Sequence, residues 1–185
     1  MLRLRYGTYA PVANAITPDE GHAVRVAAAL AAMSSPAVAS HHSAALIHGL
    51  EMLGQPRETV AVTRPPNGGS RVGGPGIHTH IAALPERDVV MWRGLPITSV
   101  ARTVIDLARA SSFSGGVVVA DSALRITRVS KAELHLCITA CAGWPGIQNA
   151  RRVAAFADAR SESVLESISR VAFHDHGLPP PELQA

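Results

Sequence analysis

Histidines are the residues in this sequence whose type and spacing best suit acid–base chemistry, metal binding or polar recognition. His41 and His48 follow Ser40 and lie seven residues apart, which puts them on one face of a helix, whereas His42 points elsewhere. One interpretation is a contact point for a partner or for nucleic acid. The alternative, which we favour for His42 and His48, is local capping and packing beside the apolar residues of the same helix. His41 stays open between the two.

A second pair of histidines has a metal-ligand spacing. His78 and His80 lie two apart in a predicted strand, so both side chains project to one side. Zinc requires three or four ligands backed by further hydrogen bonds, and no carboxylate or cysteine of the sequence obviously converges on this pair. We therefore expect a solvated surface pair and no metal site. His174 and His176 precede a glycine at a helix end, where cations suit the helix dipole, and we interpret them as structural.

Positive charge is concentrated in the middle of the chain. The formal net charge is +3 and the pI is near 9.4, but residues 1–60 and 111–185 are balanced, and residues 61–110 hold six arginines against three acidic residues. We interpret these arginines as a solvated rim of loops and strand edges around a small sheet. The alternative interpretation is a face that contacts phosphates. The residues that we predict to contact a partner or nucleic acid are Arg3, Arg5, His41, Arg64, Arg71 and Arg93.

Several classes of function are disfavoured by the sequence. The glycine pairs at 68–69 and 73–74 are not followed by a helix and do not suit a phosphate loop. No nucleophile–base pair or paired-acid motif stands out, so we expect neither enzymatic activity nor a cofactor. Cys137 and Cys141 lie four apart in a helical pattern, which predicts reduced core thiols. No stretch has the layout of a signal peptide or the length of a membrane span, and we expect a cytoplasmic protein.

Helix starts are the strongest structural signals in the chain. Thr17, Ser130 and Ser163 each precede a glutamate three residues later, which is the capping-box pattern. The third of these glutamates is Glu166, so its carboxylate has a structural explanation that needs no metal. The segments predicted to be extended are 1–10, 58–64, 77–82 and 88–92. The chain is therefore predicted to be α+β, with a small, mainly antiparallel sheet packed with a helical bundle and a C-terminal helical appendage.

The segment Gly94–Ala108 (GLPITSVARTVIDLA) joins a strand to a helix. Its glycine and proline prevent a helix at the start, and Thr98 or Ser99 is placed to cap the helix that follows. Arg102 and Asp106 stand one turn apart, which predicts a structural ion pair on or near the surface.

Several of these pieces together resemble the AbiEi-like antitoxins and transcriptional regulators of bacterial type IV toxin–antitoxin systems. The resemblance rests on RYGTY at residues 5–9, ASHHSAALIHGL at 39–50, the Gly94–Ala108 joint and DSALR at 121–125. Residues 161–184 resemble the start of a nuclease domain like the very-short-patch-repair endonucleases. We accordingly expect a remnant of a winged-helix wing strand over 1–12, an AbiEi-like core over 13–158 and the truncated start of an endonuclease-like domain over 159–185.

The resemblance implies a function as well as a fold. It implies a non-enzymatic antitoxin or regulator core that contacts a nucleotidyltransferase-like toxin, with DNA as a second partner. The alternative is a degenerate member of the nuclease family, in which Glu166 alone matches a carboxylate of the family's first helix. A nuclease of that kind needs further carboxylates to hold a divalent metal.

Overall fold

The computed structural model describes residues 2–5, 8–10, 17–54, 58–66, 74–126 and 129–179. These residues form two compact units, one from the described parts of 1–47 and 55–99 and the other from the described parts of 48–54 and 100–185. The first unit carries the strands and the second is helical, so the predicted α+β class is confirmed. No helix in the described part of the chain is both long enough and apolar enough to cross a membrane.

The first unit holds two separate sheets. The strands are β1 (Leu2–Arg5), β2 (Thr8–Ala10), β3 (Val38–Ala39), β4 (Val60–Arg64), β5 (Ile77–Ile81), β6 (Val89–Trp92) and β7 (Leu95–Thr98). β1 and β2 form an antiparallel hairpin, and the other five form one sheet in the order β5-β4-β3-β7-β6. The prediction that the opening segment joins the main sheet is therefore wrong, because that segment folds back on itself.

The five-stranded sheet is mixed rather than mainly antiparallel. β3 pairs with β4 and β6 pairs with β7 in antiparallel fashion, whereas β4 pairs with β5 and β3 pairs with β7 in parallel. A parallel pair requires a connection that returns the chain to the same end of the sheet. The long connections from β4 to β5 and from β3 to β7 allow this, and strand propensity alone does not reveal it.

Helices α1 (Pro18–Ala31) and α2 (His41–His48) complete the first unit's core. α1 begins with the predicted capping box, in which the Glu20 backbone N–H donates to Thr17 Oγ1 at 3.2 Å and the Thr17 N–H donates to Glu20 Oε2 at 2.8 Å. One face of the sheet packs against both helices through small and β-branched side chains. The buried members of this core are Val26, Ala29, Ala39, Ala44, Val60, Val62 and Ile97.

The second unit is a cluster of five helices. They are α3 (Val100–Ala110), α4 (Phe113–Ile126), α5 (Lys131–Ala140), α6 (Ile147–Phe156) and α7 (Val164–Asp175). α4 lies at the centre and packs against α3, α6 and α7. α5 starts with its predicted capping box at Ser130, and Cys137 and Cys141 are buried reduced thiols, as predicted.

Close packing of α4 depends on a glycine. A Cβ at Gly116 would lie 2.7 Å from Val153 Cγ2 of α6 and 3.3 Å from Ala108 Cα of α3. Both distances are shorter than normal carbon–carbon contacts, so the neighbouring helices approach α4 more closely than any larger residue would permit.

Candidate functional site

The start of α2 has an unusual backbone conformation and a buried hydrogen-bond network. His41 has a φ of 49°, in the left-handed region that residues other than glycine rarely adopt. Thr63 Oγ1 donates to Ser40 Oγ at 2.7 Å, and Ser40 Oγ lies 3.0 Å from His41 Nδ1. Which of the Ser40 hydroxyl and His41 Nδ1 donates in this contact depends on the tautomer of His41. Ser40 and Thr63 have no exposed surface. Their hydroxyl groups therefore orient the His41 ring and are not accessible as nucleophiles.

His41 also packs against a histidine from the sheet. Its ring stacks on His80 of β5 with 3.6 Å between centroids and 16° between planes. The sequence does not show this contact, since the two residues belong to different elements. His80 is half-buried and His78 is exposed, so the expectation of a solvated surface pair is met by His78 and is wrong for His80.

The second histidine of α2, His42, contacts the backbone just before β4. His42 Nε2 lies 2.9 Å from the Thr59 carbonyl oxygen, to which it donates. Burial lowers the pKa of His42, the hydrogen bond to Thr59 opposes that effect, and nearby His22 and His78 add to it. The ring is therefore neutral at pH 7 and fastens α2 to the start of β4. His22 makes a second link, because its Nε2 lies 2.9 Å from Ser43 Oγ.

Arg64 occupies an unexpected place. It ends β4, which lies between β3 and β5, and only 3% of its surface is exposed. The interpretation of Arg64 as a residue of a loop or strand edge is therefore wrong, because an interior strand carries it. Among the described residues no group accepts a hydrogen bond from its Nε or Nη1. An ionised group buried in this way is costly unless an anion or hydrogen-bond acceptor compensates it.

The β6–β7 hairpin carries Arg93, the third predicted contact residue whose side chain the structure describes, and this side chain is exposed. Arg93 and Gly94 form its two-residue turn with φ values of 46° and 82°, and positive values at both positions are typical of a type I′ turn. The guanidinium carbon of Arg93 lies 4.8 Å from the ring centroid of Trp92, a cation–π distance. Arg3 and Arg5 lie on β1, where only the backbone is described, and Arg71 lies outside the described residues.

Arg102 and Asp106 pair in the core rather than on the surface. Arg102 Nε donates to Asp106 Oδ2 at 2.8 Å, Arg109 Nη1 donates to Asp106 Oδ1 at 3.1 Å, and Arg102 and Asp106 are each 1% exposed. Trp144 covers both guanidiniums, with their carbons 4.7 and 4.9 Å from its ring centroid. Burial raises the pKa of Asp106, and the two arginines oppose that shift. The prediction that this ion pair lies on or near the surface is wrong, because the buried face of α3 is broad enough to include Arg102 and Asp106.

Asp121 is a second buried carboxylate, and sequence reasoning missed its role. Its Oδ2 accepts from Ser167 Oγ and from Arg170 Nη1, both at 2.8 Å, and its Oδ1 accepts from the Asp158 backbone N–H at 2.7 Å. Burial raises the pKa of Asp121 against these partners. The available signal was a single aspartate inside the apolar run of α4, where a charged side chain requires a partner.

Glu166 takes part in the start of α7, but the capping box predicted at Ser163 forms only in part, because the Glu166 carboxylate binds the Glu162 N–H instead of the Ser163 N–H. Its backbone N–H donates to Ser163 Oγ at 3.2 Å, and its Oε2 accepts from the Glu162 N–H at 2.7 Å. Within the part of the chain that the structure describes, no group of three or more His, Cys, Asp or Glu side chains is placed to hold a metal ion. The nuclease interpretation of Glu166 stays a prediction.

Comparison with known proteins defines the class. Residues 37–155 match the model of the AbiEi antitoxin C-terminal domain, and this chain belongs to that family. Two uncharacterised proteins from two strains of Mycobacterium tuberculosis are each 33% identical to it over 186 residues and cover its whole length. The chain spans 64% of the length of these relatives. Membership of the family supports a role in a toxin–antitoxin system.

Proposed function

We propose that this chain is the core of a non-enzymatic antitoxin that acts by binding a nucleotidyltransferase-like toxin. The observation that carries the proposal is the family match over residues 37–155. The buried carboxylates of the helical unit support the non-enzymatic part, because two arginines bind Asp106 and one binds Asp121. Carboxylates engaged in this way stabilise a fold and are poorly placed to activate a substrate.

We place the toxin contact on the β6–β7 hairpin. β6 is an edge strand of its sheet, and Val90 and Met91 are 40% and 67% exposed. Met91 is paired with Pro96, which has no N–H, so this is a pair without ladder hydrogen bonds. The backbone N–H and C=O of Met91 therefore point away from β7, towards the open edge. An edge of this kind accepts a strand from a partner protein.

Charge at the same edge supports a protein or nucleic-acid partner. Arg87 precedes β6 with 71% of its side chain exposed, although its Nε lies 3.8 Å from an Asp88 carboxylate oxygen, and the exposed Arg93 follows the strand. We propose DNA as a weaker, second partner through these two arginines. Contact with two phosphates predicts that the logarithm of the affinity falls with the logarithm of the salt concentration with a slope of roughly −2. Fluorescence anisotropy with duplex DNA measures that slope, and undetectable binding at low salt refutes DNA contact.

The toxin proposal is tested by coexpression with the toxin encoded beside this chain's gene. We expect growth to be rescued, a stable complex to elute in size-exclusion chromatography, and Met91→Asp to weaken binding at least roughly tenfold in calorimetry, because it places a charge on the apolar edge. Leu136→Asp is the matched control, since Leu136 is 71% exposed but lies on α5 of the other unit. Rescue of growth without a complex would refute action by contact. A complex weakened by Leu136→Asp and not by Met91→Asp would move the surface away from the hairpin.

A further inference from the structure

We infer that Arg64 and Thr79 form a binding site for a small oxyanion of the phosphate or sulfate type. The inference is independent of the proposed antitoxin function. It rests on buried polar atoms that meet no hydrogen-bond partner among the described residues: Nε and Nη1 of the buried Arg64, and Oγ1 of the half-buried Thr79. Such groups are rare in folded proteins and usually mark an ion or water that satisfies them.

The two side chains lie on the same face of the sheet. Thr79 is the register partner of Val62, and partners in a parallel pair present their side chains to the same face. Arg64 follows Val62 by two residues and therefore shares that face as well. Arg64 and Thr79 are diagonal neighbours across the β4–β5 pair, a separation that a long side chain spans. One anion between them would accept from the guanidinium and from the hydroxyl together.

The position in the strand order gives the anion a route of entry. Arg64 and Ile81 are the last residues of two parallel strands and are each other's register partners. Ile81 is 56% exposed and Pro66, two residues beyond Arg64, is also exposed, so solvent borders this end of the sheet. The carboxyl ends of parallel strands are the common location of ligand sites in open sheets.

The burial of Arg64 restricts the ligand to a small anion. With 3% of its surface exposed, Arg64 lies too deep for the phosphate backbone of a nucleic acid to reach it. A free tetrahedral oxyanion is small enough to lie against the guanidinium, which forms strong charge-assisted hydrogen bonds with phosphate. The site therefore reassigns Arg64 from a nucleic-acid contact to a ligand of a small anion.

The test is thermal unfolding of the full chain in chloride, phosphate and sulfate at constant ionic strength. Phosphate at ten times its dissociation constant is expected to lower the unfolding equilibrium constant of the wild type about tenfold, which raises Tm by roughly 3–6 °C. Arg64→Met and Thr79→Val keep the side-chain volume and are expected to lose or reduce this shift. Arg87→Met, which removes an equal charge from an exposed side chain, is expected to retain it.

Three results would overturn the inference. The first is a wild-type Tm that does not respond to phosphate or sulfate, a measurement that needs no variant to fold. The second is an equal shift in the wild type and in Arg64→Met. The third is a shift produced by a duplex oligonucleotide and not by inorganic phosphate at the same phosphate concentration, since that would assign the site to nucleic acid.

Discussion

Gly116→Ala tests whether the approach of three helices depends on a missing methyl group. The added Cβ would lie 2.7 Å from Val153 Cγ2, and valine in a helix has essentially one χ1 rotamer, so the side chain cannot turn away. Overpacking of this kind destabilises by about 1–3 kcal/mol, whereas replacing glycine by alanine in a helix stabilises by about 1 kcal/mol. The net expectation is a loss of about 1 kcal/mol in the free energy of unfolding.

Gly115→Ala is the matched control in the same helix. Its Cβ would meet the Ser112 hydroxyl at 3.2 Å and the side chain of Ser111 at 3.4 Å, contacts at the helix start that small rotations relieve. The control is expected to gain up to about 1 kcal/mol, so the two variants should differ by about 2 kcal/mol. For a chain of this size that is a difference of roughly 4–8 °C in Tm, which circular dichroism measures readily.

A double variant isolates the contact itself. Gly116→Ala combined with Val153→Ala removes the clashing methyl group, so its loss of stability should be smaller than the sum of the two single losses by at least about 1 kcal/mol. Urea unfolding of the four proteins completes the cycle. Equal stability of the Gly115 and Gly116 variants, or strict additivity in the double variant, would refute the assignment of Gly116 as a packing glycine.

Three further outcomes follow from the helical unit. Asp121→Asn should lower the free energy of unfolding by about 3–5 kcal/mol, since the arginine that it binds is left buried without a counter-charge, and a loss below about 1 kcal/mol in urea unfolding would contradict that role. In Gly146→Ala the added Cβ would overlap a backbone carbonyl of α3, whereas Gly143, with a similar positive φ, has open space around it. Gly146→Ala should therefore lose at least about 2 kcal/mol more of the free energy of unfolding than Gly143→Ala. Equal Tm values of the two variants would argue against the overlap. Arg160 lowers the pKa of Asp158 to about 2, so the wild type should be more stable than Asp158→Asn above pH 4, and this advantage should vanish as the pH falls towards 2; a gap that does not depend on pH would contradict it.

Local signals in the sequence predicted the helix starts well. The capping boxes at Thr17 and Ser130 form as the spacing of threonine or serine and glutamate predicts, and α7 begins directly after Ser163. The reason is that capping is decided within four residues, so one short stretch contains all the interacting groups.

Features formed between distant residues were beyond sequence reasoning. Asp121 and Arg170 lie 49 residues apart, and no local sequence pattern around either residue predicts that they pair. The same holds for His41 and His80, whose stacking depends on the parallel placement of β5. Arg64 was misplaced for a related reason: its charge suggested exposure, and only the strand order shows that β4 is an interior strand.

The two-residue strand β3 is the strand that joins the β4–β5 pair to the β6–β7 pair in the five-stranded sheet. Val38 pairs with Thr63, and Ala39 pairs with both Val62 and Ile97, so among the described residues the strand pairing that joins the β4–β5 ladder to the β6–β7 ladder runs through β3. The next residue extends the link, because the Ser40 N–H donates to the Ala61 carbonyl oxygen at 3.0 Å. The pairing of Ala39 with Ile97 joins two residues nearly sixty positions apart, and non-local contacts of this kind slow folding. We therefore expect amide exchange at β3 to report whether the two ladders stay joined, because loss of the β3 pairing would leave them without a shared strand.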